Sequence, residues 1–137
     1  MTTTNYRLRL ANATWIDVNS RYTLDNLPDL IGDDVAVIHS SLFNLFNCIP
    51  GQRARIFQPE YGSMWLNFIH EPINDVTAAK MQMFMLDSIA RWEPRIELDF
   101  RSTSIVANLD IPGYEVRIGF DMPTLATPQL IQFNVTA

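Results

Sequence analysis

Three side chains of the metal-ligating or nucleophilic kind, His39, Cys48 and His70, stand far apart in this chain. The histidines lie nine residues before the cysteine and twenty-two after it. Structural zinc sites draw ligands as close pairs, so no metal is expected. A thiol nucleophile needs a base within hydrogen-bond reach and a third group to orient that base; nothing local supplies either. The single cysteine also excludes an internal disulfide and fits a reducing compartment. His39 falls beside the apolar face of a helical stretch and is expected to be a partly buried structural residue. Four glutamates, Glu60, Glu71, Glu93 and Glu97, sit near aromatic residues. Two carboxylates pushed apart in proton affinity by their surroundings can cleave a glycosidic bond, given the right separation. The alternative is that Glu71 and Glu93 pair with arginine or bind backbone groups near the prolines. The five glycines are scattered singly, so no phosphate-cradling loop is present and no cofactor is expected.

The densest cluster is Arg91-Trp92-Glu93-Pro94-Arg95. It puts two cations, an anion, an aromatic ring and a rigid backbone into five residues. Pro94 fixes the local chain direction, and Arg and Trp are the side chains most enriched at interface hot spots. The cluster reads either as a partner-binding corner or as an internal salt bridge that pins a helix to a strand.

An α+β scaffold must position these groups. A first helix is expected over 34–47, with Asp33 and Asp34 at its positive end. Val35, Ile38, Leu42, Leu45 and Ile49 recur at helical spacing and Phe46 widens that face; Pro50-Gly51 ends it. A connector follows, with a short strand expected at Arg55–Phe57. A short second helix opens at its cap, Ser63, carries Met64, Trp65, Phe68 and Ile69, and closes at Pro72. The third helix is capped by Asn74 or Asp75 and ends at Trp92, because Pro94 disfavours helical geometry at Glu93. It carries two apolar stripes: Val76, Ala79, Met83, Leu86 and Ala90, and Met81, Met85 and Ile89. Burial on more than one side is therefore expected. The period then changes to two. Ile96, Leu98 and Phe100 alternate with Glu97, Asp99 and Arg101. A second strand carries Tyr114, Val116, Ile118, Phe120 and Met122, and a third Ile131, Phe133 and Val135. The expected architecture is three helices followed by a small antiparallel sheet, with terminal arms. Residues 1–32 read as an irregular N-terminal arm and lead-in, with Arg7–Leu10 alternating like a strand. Residues 33–122 read as the main domain and 123–137 as a C-terminal strand.

The chain has 137 residues, the size of one domain. Apolar residues make up 47% and charged residues 18%, which excludes a disordered chain. The net charge is −5, and no Lys/Arg cluster offers the basic face of a nucleic-acid binder. Nine arginines stand against one lysine, Lys80. Arginine is the cation preferred in bidentate and interface pairs, so this balance points to a surface covered by other proteins. MTTTNYRLRL has no apolar core of signal-peptide type. No window approaches the ~18 apolar residues of a membrane span, and a soluble protein assembled inside the cell is expected.

The order Gly51-Gln52-Arg53, Pro59-Glu60-Tyr61-Gly62-Ser63, Glu71-Pro72 and, after a long helix, Trp92-Glu93-Pro94-Arg95-Ile96 resembles the small baseplate wedge, or sheath-initiator, family of contractile-tailed phages. TssE of type VI secretion systems is a relative of that family. The resemblance covers about residues 33–122; Gln52 stands where the family commonly has Glu. It implies a structural protein of the virion tail baseplate and not an enzyme, assembled in the host cytoplasm in six copies. Its implied partners are other wedge proteins, the tail sheath protein, and the tail tube or hub. It further implies that the corner Glu93, Pro94 and Arg95, flanked by Arg91 and Trp92, contacts the helical core bundle of neighbouring wedge proteins. The sheet would offer the first sheath ring a template for strand exchange. The residues themselves add Leu130, Ile131, Phe133 and Val135 to the partner-binding set, because this uncharged alternating run suits β-augmentation; either this segment or the N-terminal arm is expected to pair with a sheath arm. Two rival readings remain at this point: a lysozyme-like glycoside hydrolase, and the equivalent component of a type VI machine.

Overall fold

The computed structural model describes residues 15, 17–18, 31–32, 34–52, 58–110 and 112–136. The expected strands at Arg7–Leu10 and Arg55–Phe57 lie outside the described residues. The chain falls into two compact units, divided after Phe43.

In the first unit, β1 (Asp17–Val18) and β2 (Ile31–Gly32) pair antiparallel, so the lead-in is not wholly irregular. Helix α1 (Asp34–Phe46) follows and continues past the division. Asp34 suits the positive end of the helix, and its Oδ1 accepts the backbone N–H of Trp15 at 2.7 Å. Val37, Ile38, Leu42, Leu45 and Phe46 are buried, the face that the helical spacing predicts. His39 is exposed rather than partly buried, because it lies one step beyond the Ile38 row.

In the second unit the α+β class holds, but the expected count of three helices does not. The described residues contain two α-helices, and the middle segment Met64–Phe68 is a 3-10 helix. Its closing bond runs from Ile69 N–H to Leu66 C=O, the tighter i to i+3 pattern. Two constraints leave no length for an α-helical nucleus. Ser63 N–H is tied to Cys48 C=O at 2.8 Å, and Pro72 breaks the chain beyond. Ser63 caps nothing with its side chain; its hydroxyl instead accepts from Ser88 Oγ at 2.8 Å on the facing helix.

That helix is α2 (Asp75–Trp92). Asn74 Oδ1 caps it by accepting Thr77 N–H at 2.8 Å, filling one of the orphan donors of the first turn. Met81, Met85 and Ile89 are fully buried, while Val76 and Met83 are 66% and 60% exposed and Ala79 and Ala90 are also exposed. Burial on more than one side is therefore corrected to burial on one. The buried face is completed by Thr77, Ala78 and Ser88, small residues that let α2 approach the 3-10 helix and the sheet closely.

The sheet has the order β3 (Glu97–Asn108), β4 (Gly113–Asp121), β5 (Gln129–Thr136), antiparallel throughout. Central β4 buries Tyr114, Val116, Ile118 and Phe120 on one face, with Met122 just beyond; Arg117 and Asp121 are exposed on the other. Each such side chain contributes roughly 1.5–3 kcal/mol on burial, so β4 and the Met81–Met85–Ile89 row carry most of this core. Strand β3 is longer than the alternation predicts, and Phe100 is 70% exposed instead of sharing the face of Ile96 and Leu98. The cause is an irregularity between Asp99 and Ser104 that resets the alternation.

Candidate functional site

The Arg91–Arg95 cluster sits where α2 turns into β3, and its parts have separate partners. Glu93 is 2% exposed, with its N–H on Ile89 C=O at 2.8 Å. Arg95 grips it with two parallel bonds, Nε to Oε1 at 2.5 Å and Nη2 to Oε2 at 2.6 Å. Pro94 between them makes this fork compatible with a separation of only two residues. Arg95 keeps 30% of its side chain exposed, so the corner presents a cation held in fixed geometry. Arg91 pairs instead with Glu60 and lies over the Trp92 ring, 5.2 Å from its centroid. Trp92 in turn meets the edge of Tyr61 at 5.4 Å. The structure shows the internal pair, with its cation partly exposed.

The Pro59–Ser63 turn supports this corner. Gly51 N–H bonds Pro59 C=O at 2.9 Å, and Cys48 Sγ–H donates to Tyr61 C=O at 3.5 Å. Gly62 has φ +131, and a Cβ there would lie 2.2 Å from Cys48 C=O. Only glycine meets both conditions. Trp65 just beyond donates its Nε1–H to Phe46 C=O at 3.0 Å and packs edge-on against Phe46 and Phe133.

The second candidate segment is the outer strand β5. Leu130 is 58% exposed, while Ile131, Phe133 and Val135 are half-buried on the core face. Phe133 joins Phe46 and Trp65 in an aromatic cluster, which anchors the strand without covering its edge. The direction of its backbone groups follows from the register. Gly119 N–H points towards β3, where Thr103 Oγ1 accepts it at 3.1 Å. Ile105 N–H points away from β4, to Gln82 Oε1 at 3.3 Å. Even-numbered residues of β4 therefore address β5, and Gln129, Ile131, Phe133 and Val135 answer them. Leu130, Gln132, Asn134 and Thr136 turn their N–H and C=O outward, and no strand lies beyond them among the described residues. The corner opens β3 on one edge of the sheet and this open run forms the other, so the structure does not merge the two segments into one site.

The remaining groups do not converge. Among the described residues no three His, Cys, Asp or Glu side chains gather as a metal site, and no helix is long and apolar enough to cross a membrane. Cys48 is buried and His70 exposed. Glu71 pairs with Lys80 at 3.5 Å. Both oxygens of Glu93 are occupied by Arg95, and Glu60 is taken by Arg91. Glu97, the fourth of the glutamates, is exposed.

Two features escape sequence reasoning. One is the exposed apolar row Val76–Met83 on α2, whose spacing is that of a core face. Only the small polar residues Thr77 and Ser88 on the opposite row hint at which face packs closely. The other is the Asp99–Ser104 irregularity, for which Gly119 on the facing strand is the sole trace.

Comparison with known proteins places this geometry. A family model described as baseplate wedge protein gp25 matches residues 33–104. A search of curated proteins finds no significant match. Among solved structures, the fold is similar to a protein described as a putative tail lysozyme from Geobacter sulfurreducens. The TM-score is 0.64 and the identity 18%, over 77% of this chain and 92% of that one. It is also similar to a chain of the post-contracted pyocin R2 baseplate, with TM-score 0.54 and 22% identity over 90% of this chain and 99% of that one.

Proposed function

The chain belongs to the baseplate wedge protein gp25 family, and from that premise we propose that it joins neighbouring wedge proteins to the first sheath ring of a contractile tail and seeds the sheath by accepting one of its strands. It is a structural component of a contractile-tail baseplate. The observation that carries the finer reading is the outward run Leu130, Gln132, Asn134 and Thr136. Such an edge gives affinity through backbone hydrogen bonds and register through alternate side chains. The strand carries no charged residue, so it lacks the charges that commonly keep an edge from pairing. The corner Glu93–Pro94–Arg95, with Arg91 and Trp92, docks on the helical bundle of adjacent wedge proteins in this reading. Six copies assemble in the host cytoplasm around the tail tube or hub.

The test is Asn134→Pro, which removes one outward donor and places a ring where the incoming strand lies. Removal of the whole strand would instead strip Phe133 from the core cluster. Baseplates carrying Asn134→Pro should assemble and remain without sheath in electron micrographs. Normal sheath on such baseplates, with the variant's circular dichroism unchanged, overturns the strand-acceptor reading. Membership of a structural family and the pairing of Glu60, Glu71 and Glu93 with cations support a protein that is not an enzyme. Incubation of the pure chain with peptidoglycan should release no soluble fragments; release abolished by Glu71→Gln or Glu93→Gln would reverse that conclusion.

A further inference from the structure

The two edges of the sheet are built differently. On β3, Asp99 pairs with Gly119 and Ser104 with Arg117: five steps along β3 face two along β4, leaving three surplus residues. They are held as a closed bulge. Asp99 Oδ1 accepts Arg101 N–H at 3.0 Å, and its Oδ2 accepts the Ser102 hydroxyl. Buried Thr103 donates its hydroxyl towards Asp99 C=O at 2.8 Å and accepts Gly119 N–H at 3.1 Å, so a side chain takes the place of a ladder bond. Gly119 makes room, since a Cβ there would lie 2.4 Å from Ser102 Cβ. Beyond the bulge, the outward N–H of Ile105 is occupied by Gln82 Oε1 from α2. The outward groups of β3 are thus cut into two short runs, Leu98 on one side and Ile105 with Ala107 on the other. The β5 edge has neither a bulge nor a cover among the described residues.

We propose that the sheet is one-ended: β5 accepts a single strand, while the Asp99–Thr103 bulge and the Gln82 side chain close β3 against a second addition and against the β5 edge of another copy of this chain. The inference rests on the reading of β5 as a strand acceptor. Its physical content is that a contact between β3 of one copy and β5 of the next is heterologous, so each copy added leaves a further edge open and association propagates beyond a dimer. A chain that presents an uncharged open edge needs such a block.

The experiment removes the block from the full chain. Deleting residues 100–102 takes out the three surplus residues and sets Thr103 opposite Ile118 in an unbroken ladder; Gln82→Ala frees the Ile105 amide. The combined variant should form species larger than monomer whose mass rises with concentration in light scattering, while the parent shows no such rise. Adding Asn134→Pro should return it to the parent's mass. A folded combined variant with the parent's mass at every concentration overturns the proposal. So does self-association that survives Asn134→Pro, because the acceptor is then not β5. Where the deletion does not fold, Gln82→Ala with Asp99→Ala frees the same amide and unties the bulge at full length. The same two outcomes then decide. The strand-acceptor reading fails separately, if the parent does not start sheath on baseplates: edge-to-edge association of the unblocked variant would still show that β3 is normally closed.

Discussion

Arginine 95 is the residue whose removal should separate the internal and external roles of the helix-to-strand corner. In the folded chain Glu93 is 2% exposed and both its oxygens are bonded by Arg95. Arg95→Ala leaves a buried carboxylate stripped of two charge-assisted bonds. Breaking a fully buried pair from one side costs about 3–5 kcal/mol. Here the arginine side chain is 30% exposed, so water screens the pair and part of the loss is recovered by hydration. A cost of about 2 kcal/mol follows. At roughly 3–5 °C per kcal/mol for a chain of this size, the melting temperature at neutral pH should fall by about 6–10 °C. Removing both charges together, in Glu93→Gln with Arg95→Met, should recover about 1–2 kcal/mol relative to the sum of the single changes. Arg95→Lys keeps the charge, loses the fork and should fall between parent and alanine. The assay is thermal and urea unfolding by circular dichroism, run beside incorporation into wedge complexes. A melting temperature for Arg95→Ala within 1 °C of the parent would refute the reasoning, because the carboxylate could not then depend on its partner. Loss of assembly in Arg95→Lys with stability nearly intact would show that the guanidinium also serves a neighbouring subunit.

Gly62→Ala should be more damaging than its size implies. It forces a Cβ to 2.2 Å from Cys48 C=O at φ +131, and a loss of about 2–3 kcal/mol in urea unfolding is expected; a loss under 0.5 would refute the contact. The two rows of α2 should respond in opposite ways. Met85→Ala should cost about 2–5 kcal/mol, while Val76→Thr and Met83→Gln should stay within about 0.5, and equal losses would mean the helix is turned otherwise. The Ser102 hydroxyl and the Arg101 N–H hold Asp99 below its ordinary carboxylate range. A depressed folded value means that its contribution is present above the ordinary carboxylate range and is lost as pH falls through that folded value. Protection of the Arg101 amide, measured as its exchange rate relative to the intrinsic rate at each pH, should therefore fall in that acidic range, and Asp99→Asn should flatten this profile; an unchanged profile would sever Asp99 from the bulge.

The legible parts of this fold were those in which one local rule acted alone. Asn74 three residues before Thr77 caps α2 as written, Pro94 ends it at Trp92, and the alternation of β4 and β5 matches their faces. The illegible parts are those in which two segments compete. The Met64–Phe68 stretch has the composition of a helix, but the Ser63–Cys48 bond and Pro72 shorten it to a 3-10 turn. On α2 both rows are apolar, and the choice of buried face is made by the small residues Thr77, Ala78 and Ser88 that admit a neighbour. In β3 a three-residue surplus breaks the period, and it leaves no mark within the strand because Phe100, Arg101 and Ser102 all have ordinary strand composition. Of the candidate site, the corner residues could be picked out from their types. The direction of the β5 backbone could not, because it depends on which face of β4 each partner meets.

Part of the arginine-rich balance is taken up by pairs inside the chain. Arg91, Arg95 and Arg117 are engaged with Glu60, Glu93 and Glu115, and the single lysine with Glu71. Gln132 joins the last arginine pair by donating to Glu115 Oε1 at 2.7 Å, so even the polar face of β5 is tied inward at that point. Two of the arginine pairs, Arg95–Glu93 and Arg117–Glu115, use two guanidinium nitrogens on a residue only two positions away, a geometry that suits a planar guanidinium better than a lysine. Three of the described arginines and the lysine are thus engaged within the chain, and β5 itself carries no charged residue. On the proposed reading of β5 as a strand acceptor, recognition there rests on backbone hydrogen bonds and on the spacing of Leu130, Gln132, Asn134 and Thr136. Such contacts are short-ranged and demand alignment, and they reward a partner that arrives already extended and in register. A docking surface of that kind suits a machine in which neighbours are held in place before the strand is offered, and suits poorly a protein that must find its partner by charge across solution.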